Sequence, residues 1–230
     1  DKKYMLNLTG RRDGSSRFGT GNRFANFGAA GLAWIFTEEA LFKNQNVLSF
    51  GKLRASYGIT GNDQIGNYEY LDAYTLSGRS YGDLNGLAPA QLFNPNFSWE
   101  TNKKLELALE TGLLNNRIYV IAALFRNRSS NQLVGIPQPG TTGFTSLRAN
   151  LNAEVENRGF ELELRSVNLD GKDLRWVTTF NFTLLKNELL SYPGLENSTN
   201  ANLLVIGESL NLVQLYELQG VNPETGIYEF

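Results

Sequence analysis

Strict alternation of apolar and polar residues between positions 53 and 60 is the feature that most constrains the fold. The odd positions of this segment are Leu53, Ala55, Tyr57 and Ile59, and the even positions are Arg54, Ser56, Gly58 and Thr60. This period of two predicts a β-strand with one apolar and one wet face. After it, the sequence Gly61-Asn62-Asp63 opens a long stretch (63–99) rich in Tyr, Asn and Gly. The apolar face must contact either a protein core or lipid.

Similar alternation recurs along the chain and predicts an all-β protein. Strands are predicted at 4–9, 23–36, 102–114, 117–128, 155–167 and 174–185. In 102–114 the helix-forming residues Leu, Glu, Ala and Lys compete with the period of two, but an amphipathic helix would mix the two sets, so we predict a strand. The strand at 117–128 is apolar on both faces in its middle, which leaves its orientation open. Residues 37–40 are typical of a capped helical turn, so we expect at most one short helix.

The connections between these strands alternate between short and long. Asn115-Asn116 predicts a two-residue hairpin, and 169–173 predicts another tight turn. The segments 63–99, 134–154 and 190–208 are long. Short turns at one end and long loops at the other are typical of outer-membrane barrels. Trp34, Phe36, Trp176 and Phe180 lie near strand ends or on outward faces, as an aromatic girdle requires, although they could also be core aromatics.

Composition narrows the classes of function. Hydrophobic residues make up 41% of the chain, and no apolar run approaches the 18 or more residues of a membrane helix. Histidine and cysteine are both absent, which excludes imidazole or thiolate catalysis and metal ligation by these groups. The formal net charge is −2, with no basic tract, which disfavours nucleic acid as a partner. We expect that the protein is not an enzyme and that it has neither a cofactor nor a metal site.

Two groups of charged residues are candidate sites. Residues 11–13 (Arg-Arg-Asp) and Arg54 fall on predicted polar faces, where they either guide a substrate or belong to a solvated interior. Glu161 and Glu163 lie two residues apart, about 7 Å along a strand, close to the spacing of a retaining glycosidase pair. No other feature supports hydrolysis, and this pattern is common on wet strand faces.

The long stretch 63–99 carries aromatic residues that are candidates for binding a substrate or partner. They are Tyr68, Tyr70, Tyr74 and Tyr81, with Phe93 nearby. Exposed aromatic rings can stack on sugars or hold a partner, and loops are where binding residues collect. The alternative is that most of these rings pack the loop against its neighbours.

Ordered motifs along nearly the whole chain resemble the SusC/RagA family of TonB-dependent outer-membrane transporters. They are RRDGSSRFG (11–19), LRASYGITGNDQIGNYEY (53–70), NPNFSWET (94–101), GLLNNRI (112–118), NRGFELEL (157–164), WVTTFNFTLLKN (176–187) and GVNPETGIY (220–228). Each motif is a modest signal, and their order and spacing together are specific.

The resemblance implies that residues 1–230 are about eight strands of a 22-stranded plugged barrel in the bacterial outer membrane. It implies that the plug, the TonB box and the C-terminal strands are not among these residues. It also implies import of an oligosaccharide or peptide, driven by a TonB–ExbB–ExbD system and assisted by a SusD-like surface lipoprotein. Leu53, Ala55, Tyr57 and Ile59 then face the lipid bilayer, and Arg54 and Ser56 face the lumen. The rival hypothesis is a soluble carbohydrate-binding or adhesive β-domain.

Overall fold

A computed structural model describes residues 3–43, 46–82 and 84–230, and at Ser80 and Tyr81 it describes the backbone alone. The strands are β1 Tyr4–Gly14, β2 Phe24–Trp34, β3 Leu48–Asn62, β4 Ala73–Tyr81, β5 Leu84–Gln91, β6 Glu100–Leu113, β7 Ile118–Pro137, β8 Ser146–Asp170, β9 Arg175–Ser191, β10 Gly220–Val221 and β11 Tyr228–Glu229. Seven of them form one antiparallel sheet in the order β1-β2-β3-β6-β7-β8-β9. Within the described residues this sheet is not closed, and β1 and β9 are its edges, as expected for part of a larger barrel.

The cross-strand register aligns the faces of all seven strands. Leu53 of β3 lies opposite Trp34 of β2 and Leu109 of β6, and Leu109 lies opposite Ala122 of β7. Directly opposed residues share a face of an antiparallel sheet, so the odd positions of β3 continue into one apolar face. Exposed large side chains on this face are Tyr4, Leu6, Leu8, Leu32, Trp34, Leu53, Tyr57, Leu105, Leu107, Leu109, Leu124, Trp176, Phe180, Phe182 and Leu184. Exposed apolar surfaces of this extent mark contacts with lipid or with another protein, and a soluble β-domain would leave this one in water.

The register also settles the orientation of β7, which the sequence left open. Val120, Ala122 and Leu124 lie on the apolar face, opposite Leu164, Leu162 and Phe160 of β8. The other set, which includes Phe125, lies on the polar face. The ring of Phe125 covers Gly159, because a Cβ added there would lie 2.8 Å from its Cζ atom. An inward aromatic is therefore accommodated by a glycine on the neighbouring strand.

The apolar face has the height of a membrane crossing. On β9 it extends from Trp176 to Leu184, and the next residue on this face is Lys186. A tilted transmembrane strand needs about 9–11 residues, which this stretch supplies. Trp34 and Trp176 both lie on the apolar face at the same end of the sheet, where an aromatic girdle is expected.

The longest connection, 63–99, lies at one end of the sheet, and the two tightest turns, 114–117 and 171–174, lie at the other. The first end carries 15–23, 63–99, 138–145 and the chain that leaves β9 at 192, and the second carries 35–47, 114–117 and 171–174. The contrast in length is not uniform, because 35–47 at the second end is longer than 15–23 and 138–145 at the first. Two long segments contain more strand than predicted. The stretch 63–99 holds the β4–β5 hairpin, and most of 134–154 is the paired extension of β7 and β8. Outside an apolar layer the alternation is no longer required, so the pattern could not reveal these extensions.

Several local expectations were wrong. Residues 35–43 contain two short 3-10 turns, Phe36–Glu38 and Ala40–Phe42, instead of one helix. The turn 114–117 is longer than a two-residue hairpin, because three consecutive residues from Leu114 adopt positive φ. Arg12 lies on the opposite face from Arg11 and Asp13, since consecutive strand residues alternate. In the described part of the chain no helix has the length and apolar character needed to span a membrane.

Candidate functional site

The polar face of β3 and β6 carries an ion-pair network. Arg54 pairs with Glu106, and its Nε atom donates to Glu110 Oε1 at 2.9 Å. Lys52 Nζ lies 3.2 Å from the same oxygen, and the Tyr119 hydroxyl donates to Glu110 Oε2 at 3.1 Å. The side chain of Glu110 is largely buried by these partners. The Arg54 side chain is therefore held in place by two carboxylates of the neighbouring strand β6. Together these side chains form a fixed charged patch on the polar face.

Glu161 and Glu163 lie on the same polar face, in register with Ala123 and Ile121 of β7. Both side chains are exposed. Among the described residues no group of three or more Asp, Glu, His or Cys side chains is placed to hold a metal ion. The arrangement supports a wet, charged interior surface.

Asparagine side chains fix the base of the long loops. Asn150 of β8 accepts a hydrogen bond from the Ser98 backbone N–H (2.9 Å) and donates to the Ser98 carbonyl (2.8 Å) and the Asn131 carbonyl (3.0 Å). Asn131 in turn donates to the Trp99 carbonyl at 3.0 Å and to Ser98 Oγ at 2.8 Å. Asn131 has φ +59° at an irregularity of the β7–β8 register, a conformation that Asn tolerates better than most residues. Sequence reasoning missed both residues.

A small hydrophobic cluster lies beneath the same loops. Phe18, Ile65 and Phe97 are buried, and Tyr70 and Trp99 pack against them. The Phe18 and Trp99 ring centroids are 5.4 Å apart. This cluster joins the connection 15–23 to both ends of the long loop, so the loop end is built on a packed base.

The four candidate tyrosines differ in their exposure and packing. Tyr68 is 59% exposed, and Tyr74, in β4, is 63% exposed. Tyr70 is partly buried, packs against the loop cluster and lies beside Gly19. Tyr81 ends β4, and its side chain lies outside the described atoms. Near them, a depression with a mixed polar and apolar lining, between the long loop and the β7–β8 hairpin, contains the Glu69–Arg148 ion pair (3.5 Å).

At the opposite end of the sheet, Glu39 ties the turn 35–47 to the first strand. Its carboxylate accepts hydrogen bonds from the Tyr4 hydroxyl (2.8 Å), Lys3 Nζ (3.3 Å) and Trp34 Nε1 (3.4 Å). These donors, Tyr4 first and Lys3 next, hold the pKa of Glu39 below that of a free glutamate. Phe36 packs edge-on against Trp34 and lies over Gly51.

These features together define a segment of an outer-membrane barrel: an apolar outer face of membrane height, a charged inner face and long loops at one end. The family model for the TonB dependent receptor-like β-barrel matches residues 1–220. The chain belongs to this family, and it is an outer-membrane protein. The resemblance to SusC/RagA transporters is confirmed by the relatives that follow.

Curated relatives match over most of this chain. A "TonB-dependent receptor P39" of Formosa agariphila is 36% identical over 220 residues, which cover 95% of this chain and 21% of the relative. The "TonB-dependent receptor SusC" of Bacteroides thetaiotaomicron is 31% identical over 202 residues, covering 85% of this chain and 20% of the relative. The chain therefore spans about a fifth of the length of these proteins.

Solved structures give the same result. The RagAB peptide importer in its closed-closed state superposes with a TM-score of 0.87 at 28% identity, covering 99% of this chain and 25% of the solved chain. A second structure of the RagAB peptide transporter gives a TM-score of 0.79 at 30% identity, covering 85% of this chain and 22% of the solved chain. The all-β, antiparallel barrel fold predicted from the sequence is thereby confirmed.

Proposed function

We propose that the full-length protein imports a nutrient across the outer membrane as a SusC-like TonB-dependent transporter. Residues 1–230 form part of its barrel, and the plug, the TonB box and the remaining strands lie elsewhere in the full-length protein. Energy comes from a TonB–ExbB–ExbD system, and a SusD-like lipoprotein closes the outer side. The observation that carries the proposal is the pairing of an apolar face of membrane height with a charged inner face in a chain of this family.

The cargo is an oligosaccharide or a peptide. The RagAB structure that superposes with a TM-score of 0.87 is described as a peptide importer, which supports the peptide alternative. Exposed tyrosines on a long loop suit either class, because an aromatic ring stacks on a sugar face and packs against a peptide side chain. We assign Tyr68 and Tyr74 as the contacts within this chain. Tyr70 supports them from the loop cluster.

The test measures uptake in cells that lack the full-length protein and are complemented with it. Labelled oligosaccharides and labelled peptides are supplied separately, with and without a functional TonB system. We expect one of the two classes to enter only when both the transporter and TonB are present. Uptake of both classes at wild-type rates in the deletion strain would contradict the proposal.

The tyrosines are tested in the same cells. Each of Tyr68→Ala and Tyr74→Ala is expected to raise the substrate concentration for half-maximal uptake roughly two- to tenfold, the effect of losing one aromatic contact. Tyr228→Ala is the matched control, since Tyr228 is as exposed as Tyr74 (63%) and belongs to the separate two-stranded sheet of β10 and β11. Equal effects of all three substitutions would remove Tyr68 and Tyr74 from the binding site.

A further inference from the structure

A row of cations crosses the apolar face just beyond the membrane-height band. Arg126 of β7 lies directly opposite Arg158 of β8, which lies directly opposite Lys186 of β9. In the next row towards the loops, Lys103 of β6 lies opposite Arg128 of β7. These five residues, the outward basic belt, occupy four adjacent strands at the long-loop end.

The arrangement is unfavourable unless something compensates it. Side chains directly opposite on one face stand about 5 Å apart, and like charges in that position destabilise a sheet. Carboxylates of the same face compensate part of the belt: Glu188 Oε2 lies 3.1 Å from Arg158 Nη2 and 2.9 Å from Lys186 Nζ. Glu156, 2% exposed, lies between Arg128 and Arg158, with 2.6 Å from Arg128 Nε to Glu156 Oε2. Compensation within the protein thus reaches only three of the five cations.

Lys103 and Arg126 are left without an ion pair among the described residues, and both are exposed. Each lies at the border of the apolar band: Lys103 is opposite Ile59, and Arg126 is two residues from Leu124 on the same face. A shallow apolar depression at this border is lined by Leu124, Arg126, Arg158, Phe160, Leu184 and Lys186. The charged groups of these basic side chains therefore lie directly next to an apolar surface, on its long-loop side.

We propose that the outward basic belt binds the phosphorylated headgroup of an outer-leaflet lipid. The long-loop end of a barrel is the extracellular end, so the belt lies at the outer-leaflet headgroup level. Guanidinium groups bind phosphate oxygens in a bidentate manner, and acyl chains cover Leu124, Phe160 and Leu184 below. Lys103 and Arg126 supply the free charge, while Glu156 and Glu188 hold the neighbouring cations in place. The proposal depends on the membrane orientation and not on the transported cargo.

The test uses the full-length protein in detergent, with lipid binding measured by native mass spectrometry. The probes are monophosphoryl lipid A, the same lipid after dephosphorylation, and inorganic phosphate. The wild-type protein is expected to bind the phosphorylated lipid at least tenfold more tightly than the dephosphorylated one. The double variant Lys103→Gln/Arg126→Gln is expected to lose this preference. Neither substitution leaves a buried carboxylate unpaired.

The matched control is Lys104→Gln/Arg165→Gln, which removes the same charge from the opposite face of β6 and β8. It is expected to keep the preference, and heat-modifiable gel mobility checks that each variant is folded. If the belt double variant fails to fold, its two single variants carry the same comparison. Equal binding of both lipids by the wild type, equal loss in both double variants, or displacement of the lipid by millimolar inorganic phosphate would overturn the proposal.

Discussion

Asn150 shows how one side chain can replace a neighbouring strand. Its amide oxygen accepts from the Ser98 N–H, and its amide nitrogen donates to the carbonyls of Ser98 and Asn131. Ser98 thereby has both of its backbone groups paired although it lies outside any strand. The long loop is anchored at this point to the extension of β8.

Asn150→Ala is expected to loosen the long loop while leaving the barrel folded. The change removes three hydrogen bonds, each worth about 1 kcal/mol, from groups that are half-buried. We expect limited proteolysis within 63–99 to become several-fold faster in outer-membrane preparations. Asn211→Ala is the control, because the Asn211 side chain makes no hydrogen bond in the part of the chain that the structure describes. An unchanged cleavage rate in Asn150→Ala would show that the loop is held by other contacts.

Glu39 makes the short-turn end sensitive to acid. Its pKa is lowered in the folded protein by the hydrogen bonds from Tyr4 and Lys3, so its contribution is fully present above the pKa of a free glutamate. The contribution is lost as pH falls through the lowered, folded-state value. We expect the fluorescence of Trp34 to change over this acidic range in a full-length variant that keeps Glu39 and has every other tryptophan replaced by Phe.

Glu39→Gln is expected to abolish that transition. The control is Glu38→Gln, in which the neighbouring carboxylate is removed and the contacts to Tyr4, Lys3 and Trp34 remain. A transition that persists in Glu39→Gln would assign the pH dependence to another group.

At the scale of elements, the sequence predicted most where the apolar layer imposes its period. The alternation of β3 and the strand assignment of β6 over a competing helical propensity both follow from one face being apolar. The β4–β5 hairpin was not predicted, because it lies in the long loop, where no apolar layer sets a period and Gly78, Gly82 and Gly86 interrupt the pattern. The orientation of β7 follows from its register with β6 and β8, which its own sequence could not give because both faces are apolar in the middle of the strand.

The candidate site was only partly predictable for a related reason. Tyr68 and Tyr74 are exposed, as a binding role requires, whereas Tyr70 belongs to the packed cluster. Local sequence cannot show which of these tyrosines is exposed and which is packed, since all three lie in the same Tyr- and Asn-rich stretch. Asn131 and Asn150 become recognisable only when Ser98 is brought between them. The motif NPNFSWET includes Ser98 and Trp99 but does not indicate which residues form hydrogen bonds with them.

Substitutions on adjacent residues of β9 distinguish its two faces. Phe180→Arg places a charge near the middle of the apolar band and is expected to lower the free energy of unfolding by roughly 2–4 kcal/mol in a bilayer. Asn181→Arg points inward, opposite Glu163, and is expected to change it by less than about 1 kcal/mol. The measurement is the denaturant midpoint of the full-length protein refolded into lipid vesicles. Similar losses for both variants would contradict the assignment of the faces.

At the scale of the whole molecule, the sheet is incomplete without the rest of the barrel. Strands β1 and β9 leave unpaired edges within the described residues, and such edges pair readily with other chains. The relatives are about five times as long as the matched region, since it covers 20% and 21% of them. We expect these residues to reach their native pairing only within the full-length protein.

The central claim is that the apolar face contacts lipid, and residues 53–59 test it most directly. The chain has no cysteine, so single cysteines can be introduced at each of these positions in an otherwise cysteine-free full-length protein and spin-labelled in bilayers. We expect collisions with oxygen to dominate at 53, 55, 57 and 59, and collisions with a water-soluble nickel chelate to dominate at 54, 56 and 58. Equal access of the nickel chelate at all positions, or the reverse alternation, would contradict the account.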